Sequence, residues 1–200
     1  MKKIFAAVLA SSMMLVGIQA HAQMAVNAGY VNSTMTTKIG NTKSSGDVNG
    51  FRAGVTYNIP VVAGLGVEPG LDFEMLFTSD AKSGYLTGSV TEGYVQIPVM
   101  ANYGIELMPD CRLFAYAGPT LSVGVISNSK ITAGGIDATL KNYENDSYER
   151  IDVLVGGGVG FDINNIRVKV GYNAGLLDRD NGKLMELHRS EIALGLGWLF

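Results

Sequence analysis

One cysteine, five prolines and one tryptophan in 200 residues set the first limits on this chain. A lone Cys111 excludes an internal disulfide framework and a cysteine-based zinc site. So few prolines exclude a Pro-rich linker. Charged residues make up only 16%, the formal net charge is −3, and Lys and Arg are scattered. No basic stripe is available for nucleic acid, so that class of partner is excluded. No apolar run reaches the roughly 20 residues that a membrane-spanning helix needs. Glycine is what abounds, 26 residues against an ordinary usage of about 7%. With 47% hydrophobic content this describes one ordered domain built of closely packed strands.

The first 22 residues read as an address. Met1-Lys2-Lys3 is a basic head, Ile4 to Ile18 is an apolar run, and Ala20-His21-Ala22 has the small-x-small form of a signal-peptidase site. No Asp, Glu, Lys or Arg recurs until Lys38. The expected division is a signal peptide over 1–22, cleaved after Ala22, and a single domain over 23–200.

From Gln23 onward the pattern has period two, in eight runs. Its apolar members include Met24, Val26, Ala28 and Tyr30; then Phe51, Ala53, Val55, Tyr57 and Ile59; and, at the end, Ile192, Leu194, Leu196, Trp198 and Phe200. No charged residue falls on these apolar positions. The alternate positions carry Arg52, Glu68, Asp72, Glu74, Arg150, Asp152, Asp162, Arg167, Lys169 and Glu191. Two frames fit such alternation: a soluble, lipocalin-like barrel with an apolar inside, or a membrane barrel with an apolar outside and a polar interior.

Three features select the membrane frame. The runs are near ten residues, enough for a tilted strand to cross the hydrocarbon layer. Long polar connections at 33–49, 78–91, 126–148 and 178–188 alternate with short ones at 60–66, 104–111 and Asn164-Asn165, as outer loops alternate with periplasmic turns. Tyr57, Tyr103, Phe161, Trp198 and Phe200 share the lipid-facing parity at one end of their runs, where an aromatic girdle belongs. The expected fold is therefore all-β, an eight-stranded antiparallel up-and-down transmembrane barrel. A barrel of this size is just wide enough for side chains to fill it, so its interior is expected to be plugged by ion pairs. A two-residue turn at Asn164-Asn165 sets Asp162 opposite Arg167, and an assumed register at 60–66 sets Arg52 opposite Asp72. Pro69, Pro98 and Pro119 fall inside runs, where each implies a bulge or a lost ladder bond.

Several motifs resemble the OmpX-like and PorT-like outer-membrane β-barrel domain family. Tyr94-Val-Gln-Ile-Pro98 is similar to that family's aromatic-x-x-Ile-Pro fourth strand, and Phe114-Ala-Tyr116-Ala-Gly118-Pro119 to its fifth. Ile151-Asp152 through Gly156-Gly-Gly158-Val-Gly160 resembles the Gly-rich sixth strand, and Tyr172-Asn-Ala-Gly175-Leu176 the seventh. The ending Gly195-Leu-Gly197-Trp198-Leu-Phe200 resembles the signal read by the barrel assembly machinery, with Phe200 as its last residue. The resemblance implies both termini on the periplasmic side, explains Pro98 as a family feature, and brings no shared catalytic set.

His188 and Ser190 form the one arrangement with catalytic flavour. They share the outward parity of Ile192 and resemble the pair in lipid A deacylase barrels, with Glu186 as the candidate orienting acid. A polar pair at a strand's outer end is more simply its hydrated rim. Gly156 to Gly160 lacks the following helix and Lys of a phosphate loop. No cofactor and no metal are expected. The expected role is a non-enzymatic scaffold for binding, adhesion or envelope assembly. Its expected partners are outer-membrane lipid, the barrel assembly machinery during biogenesis, and a protein or surface ligand at 33–49 and 126–148. The competing readings are an outer-leaflet lipid hydrolase and a soluble exported barrel with an apolar ligand.

Overall fold

The computed structural model describes residues 23–39, 42–78, 81–83, 86–133, 136–141, 150–177 and 186–200. The expected signal segment 1–22 lies outside them, as do 142–149 and 178–185, which fall in two expected outer loops. Alternating polar and apolar side chains can satisfy both a wet and an oily side only as paired strands, and strands are what form. They are β1 (Gln23–Ile39), β2 (Thr42–Val62), β3 (Leu65–Phe77), β4 (Ala81–Ser83), β5 (Leu86–Met108), β6 (Cys111–Ala133), β7 (Ile136–Lys141), β8 (Ile151–Ile163), β9 (Ile166–Gly175) and β10 (Glu186–Leu199). The sheet runs β4-β5-β3-β2-β1-β10-β9-β8-β6-β7, and a further β5–β6 pairing closes it. Eight long strands thus form an antiparallel ring, as expected, while β4 and β7 pair only with the outer parts of β5 and β6.

The molecule is inside-out. Leu196 is 62% exposed and Tyr103 58%, whereas Glu74 and Gln96 are wholly buried. This places the apolar wall against lipid and the polar side chains in the bore, and it overturns the soluble-barrel reading. Ile59 alone of the second run's apolar set is buried. The outward run on β8 from Ile151 to Ile163 is about 40 Å along the strand, or about 30 Å along the membrane normal at a tilt near 40°. Tyr57, Tyr103, Trp198 and Phe200 are exposed on this wall, and Phe161 is half-buried on it. They lie at the end that carries the short turns, which the short-turn rule makes periplasmic. A second aromatic group stands higher on the wall, with Tyr30 opposite Phe51 and the rings of Phe51 and Phe77 5.8 Å apart.

The short connections at 60–66 and 104–111 are tighter than expected, and the one at Asn164-Asn165 is as expected. Each is a two-residue turn, Ala63-Gly64, Pro109-Asp110 and Asn164-Asn165. Gly64, Asp110 and Asn164 hold φ of 81°, 61° and 50°, the left-handed region that Gly, Asn and Asp enter most readily. The last turn sets Asp162 opposite Arg167, as predicted. At the first turn a bulge between Pro60 and Val62 shifts the ladder, so Arg52 faces Glu74 and Gly54 faces Asp72. That corrects the Arg52–Asp72 pairing by two positions: the turn is centred on Ala63-Gly64, further along the chain than the assumed register put it, and the bulge takes back one residue of that offset.

The outer connections are also corrected. Most of 33–49 is strand, with Thr34 opposite Asp47 and Thr36 opposite Ser45, and β6 continues through 126–133 beside β5. Above the apolar band both faces meet water, so the hydropathy alternation fades while backbone pairing persists. The prolines keep register without bulges. Around Pro69, Pro98 and Pro119 the ladders lapse for two residues and resume in the same frame, as a missing N–H donor requires.

Candidate functional site: the filled bore and the outer rim

Inward side chains form two ion clusters stacked along the bore. In the outer cluster Arg52 bridges Glu74, with Nε donating to Oε2 at 2.9 Å, and Glu191. Arg189 bridges the same two carboxylates, at 2.5 Å for Glu191. The Asn173 amide also donates to Glu191 at 2.9 Å, and the Arg189 guanidinium lies 4.3 Å from the Tyr94 ring centroid. Two arginines and two glutamates thus alternate in a closed quartet.

In the periplasmic cluster Arg167 forks onto Asp162, donating at 2.7 and 2.9 Å. Its remaining terminal nitrogen reaches Glu68 at 2.7 Å, and Lys169 donates to the other Glu68 oxygen at 2.8 Å. Arg112 stands 3.9 Å from Asp162 and donates to Asn102 at 2.8 Å. Phe114 lies under the guanidinium of Arg167 at 4.8 Å, and Tyr116 under the Lys169 ammonium at 4.6 Å. The Gly-rich strand makes room for these rings. A Cβ on Gly160 would strike the Phe114 ring, and one on Gly158 would fall 2.7 Å from the Tyr116 hydroxyl. Burying any of these charges alone would be very costly, and mutual pairing offsets that cost.

Of the ten residues expected in the interior network, Arg52, Glu68, Asp72, Glu74, Asp152, Asp162, Arg167, Lys169 and Glu191 are buried or half-buried inside the bore. Arg150 is the exception: it sits exposed in the bend before β8, because the strand begins one residue later than the alternation suggested. Arg189 was missed, though it is only 2% exposed. Its signal was its position two residues before Glu191, on the same face, hidden between the outward His188 and Ser190. Cys111 is buried at a periplasmic turn.

His188 is exposed and Ser190 half-buried on the outer wall, opposite Thr36 and Thr34. Two residues along a strand put their Cα atoms about 6.6–6.8 Å apart, and their side chains are not hydrogen-bonded to each other. A Ser–His nucleophile needs contact at about 2.6–3.2 Å. Glu186 opens β10 opposite Lys38. The neighbouring Thr34 hydroxyl is engaged with Asp47 at 2.8 Å, in a hydrogen-bonded ladder that includes Asn32 and Asn49 at 2.9 Å.

A closed ring with a lipid-facing apolar wall and an ion-paired bore defines a transmembrane β-barrel. The chain belongs to the outer membrane protein β-barrel domain family, whose model matches residues 12–181, and its place is the bacterial outer membrane. No curated protein matches it. Among solved structures it is similar to Ail, the attachment invasion locus protein of Yersinia pestis. The TM-score is 0.52 at 16% identity, with 90% of this chain and 100% of that one covered. It is also similar to OprG of Pseudomonas aeruginosa, at TM-score 0.48 and 11% identity, covering 90% and 96%. The outer membrane enzyme PagL follows at TM-score 0.46 and 11% identity, covering 84% and 98%. At such identities the likeness concerns the fold.

Proposed function

We propose that this barrel is a non-enzymatic scaffold that presents paired strands outside the cell for recognition, in adhesion or envelope assembly. The observation that carries the reading is a combination: the bore is filled by two ion clusters, while the wall continues as strands beyond the lipid band. Past Tyr30, β1 runs on to Ile39, about 30 Å along the strand. Past their lipid-facing parts, β5 and β6 extend together to Leu86 and Ala133, each flanked by a short strand. Such outer segments are where binding functions concentrate on rigid scaffolds. The name of the similar Yersinia protein, an attachment invasion locus protein, agrees with this reading.

The test compares cells displaying the wild-type barrel with cells whose 33–49 and 126–148 segments are replaced by tight turns. Attachment to surfaces coated with fibronectin, collagen or heparin is expected to fall at least tenfold on one of them. Equal attachment on all of them overturns the reading, provided unboiled gels show both barrels folded.

Export through 1–22 and delivery through the terminal Phe200 belong to the same proposal. Removing Phe200 is expected to lower the amount of assembled barrel without changing synthesis, read on unboiled gels. The other reading, hydrolysis of outer-leaflet lipid, rests on the outward His188 and Ser190. Lipid A mass analysis with Ser190→Ala decides it: an acyl chain restored by the variant would establish the enzyme.

A further inference from the structure

Five cross-strand neighbours form one inward row around the bore: Gly54 on β2, Asp72 on β3, Gln96 on β5, Ser122 on β6 and Asp152 on β8. Gln96 and Ser122 are wholly buried, and neither atom of the Gln96 carboxamide nor the Ser122 hydroxyl has a hydrogen-bond partner. Folded proteins rarely leave buried amides unbonded, and such sites usually hold water or an ion. Beside this row opens a cavity of about 100 Å³, with Arg52, Asp72, Gln96, Thr120, Lys169 and Asn173 among its lining. It separates the two ion clusters.

The charges around it are unevenly committed. Arg52 is engaged by Glu74 and Glu191, and Lys169 by Glu68. Among the described residues Asp72 forms no hydrogen bond and no ion pair within 4 Å, although Arg52 and Lys169 attract it from further off, and its neighbour on one side, Gly54, offers no side chain. On its other side is the unbonded carboxamide of Gln96. Carboxylate, carboxamide and hydroxyl oxygens are hard donors, suited to alkali or alkaline-earth cations and not to soft metals. Among the described residues no three acidic, His or Cys side chains converge as a divalent ion requires. Asp152 stands three strands from Asp72 around the wall and is not among the residues that line the cavity. The volume suits a single ion with two or three waters, each of about 30 Å³.

We propose that Asp72 and Gln96 hold one hydrated monovalent cation of sodium size in the bore, in direct contact with a carboxylate that Arg52 and Lys169, committed to other partners, face only from beyond ion-pair distance. The ion ties the two clusters into one continuous electrostatic column. The proposal concerns the interior and is independent of what the outer strands recognise.

The test uses the full barrel, from Gln23 to Phe200, folded into phosphatidylcholine vesicles. Its thermal midpoint is read in sodium chloride and in choline chloride at equal ionic strength, since choline is too large for the cavity. With sodium about tenfold above its Kd the wild type is expected to melt roughly 3–6 °C higher in sodium. Asp72→Asn and Gln96→Leu are each expected to shrink that difference at least by half, with the folded gel mobility retained. Equal wild-type midpoints in the two salts mean that water alone fills the cavity, and overturn the proposal. So does a difference that persists undiminished in either variant that folds, which would place sodium elsewhere. Should Asp72→Asn fail to fold, Gln96→Leu decides alone.

Discussion

The two ion clusters use the same chemistry and are assembled in opposite ways. The periplasmic one grows from a hairpin: Arg167 and Asp162 are five residues apart and face each other across a two-residue turn. Only then does Glu68 reach in from the far wall. The outer one has no such seed. Arg52 and Glu74 are 22 residues apart, and both reach strand β10, where Glu191 lies 139 residues from Arg52 and Arg189 lies 115 from Glu74. The hairpin pair exists once β8 and β9 fold together. The quartet exists only when the ring between β2, β1 and β10 is complete, so it acts as a check on closure.

The two also differ in redundancy, and mutation should expose this. Glu191→Leu leaves Arg52 and Arg189 with one carboxylate between them, in the most buried part of the bore. The expected loss is about 3–5 kcal/mol, the usual consequence of breaking a buried pair. Urea unfolding in vesicles, followed by the fluorescence of the lipid-facing Trp198, measures it. Arg167→Met removes the centre of the other cluster, yet Lys169 remains on Glu68 and Arg112 stands 3.9 Å from Asp162. The expected loss is smaller, about 2–3 kcal/mol. Equal losses for the two variants would break the contrast.

The same contrast explains what could be read before folding. Period two sorted lipid-facing from inward residues along all eight strands, and the tight Asn164-Asn165 turn fixed the Asp162–Arg167 pair, because both signals are local. The Arg52 pairing lies two positions from the expected one because the hydropathy pattern of 58–65 announces neither the turn at Ala63-Gly64 nor the bulge between Pro60 and Val62. Arg189 lies near the outer end of β10, where the flanking His188 and Ser190 are polar, so no apolar alternation marks its inward parity. The cavity beside Gln96 is a property of the closed ring, with no counterpart in a linear pattern. The outer hairpins looked like loops because strands surrounded by water on both faces need no alternation.

Packing inside the periplasmic cluster allows a finer test. The Phe114 ring occupies the space that any side chain at position 160 would need, and that ring supports Arg167. Gly160→Val is expected to cost about 1–3 kcal/mol through overpacking, and Phe114→Leu in the same background should recover most of it. Unfolding of the single and double variants measures the coupling. If the double variant is no more stable than Gly160→Val alone, the glycine serves the backbone and not the ring.

The smallest effect concerns the seed itself. Asn164 holds φ of 50° at the turn that joins β8 to β9, and a residue with a Cβ and no side-chain hydrogen bond of its own is strained there by about 1 kcal/mol. Asn164→Ala should therefore destabilise the barrel by about 1 kcal/mol, while Asn164→Gly stays within about 0.5 kcal/mol of wild type. Because the hairpin precedes ring closure in the scheme above, the alanine variant should lose most of this in a slower folding rate, with little change in unfolding. A loss confined to the unfolding rate would mean that the turn forms after the ring closes, and that the periplasmic cluster is no more local in its assembly than the outer one.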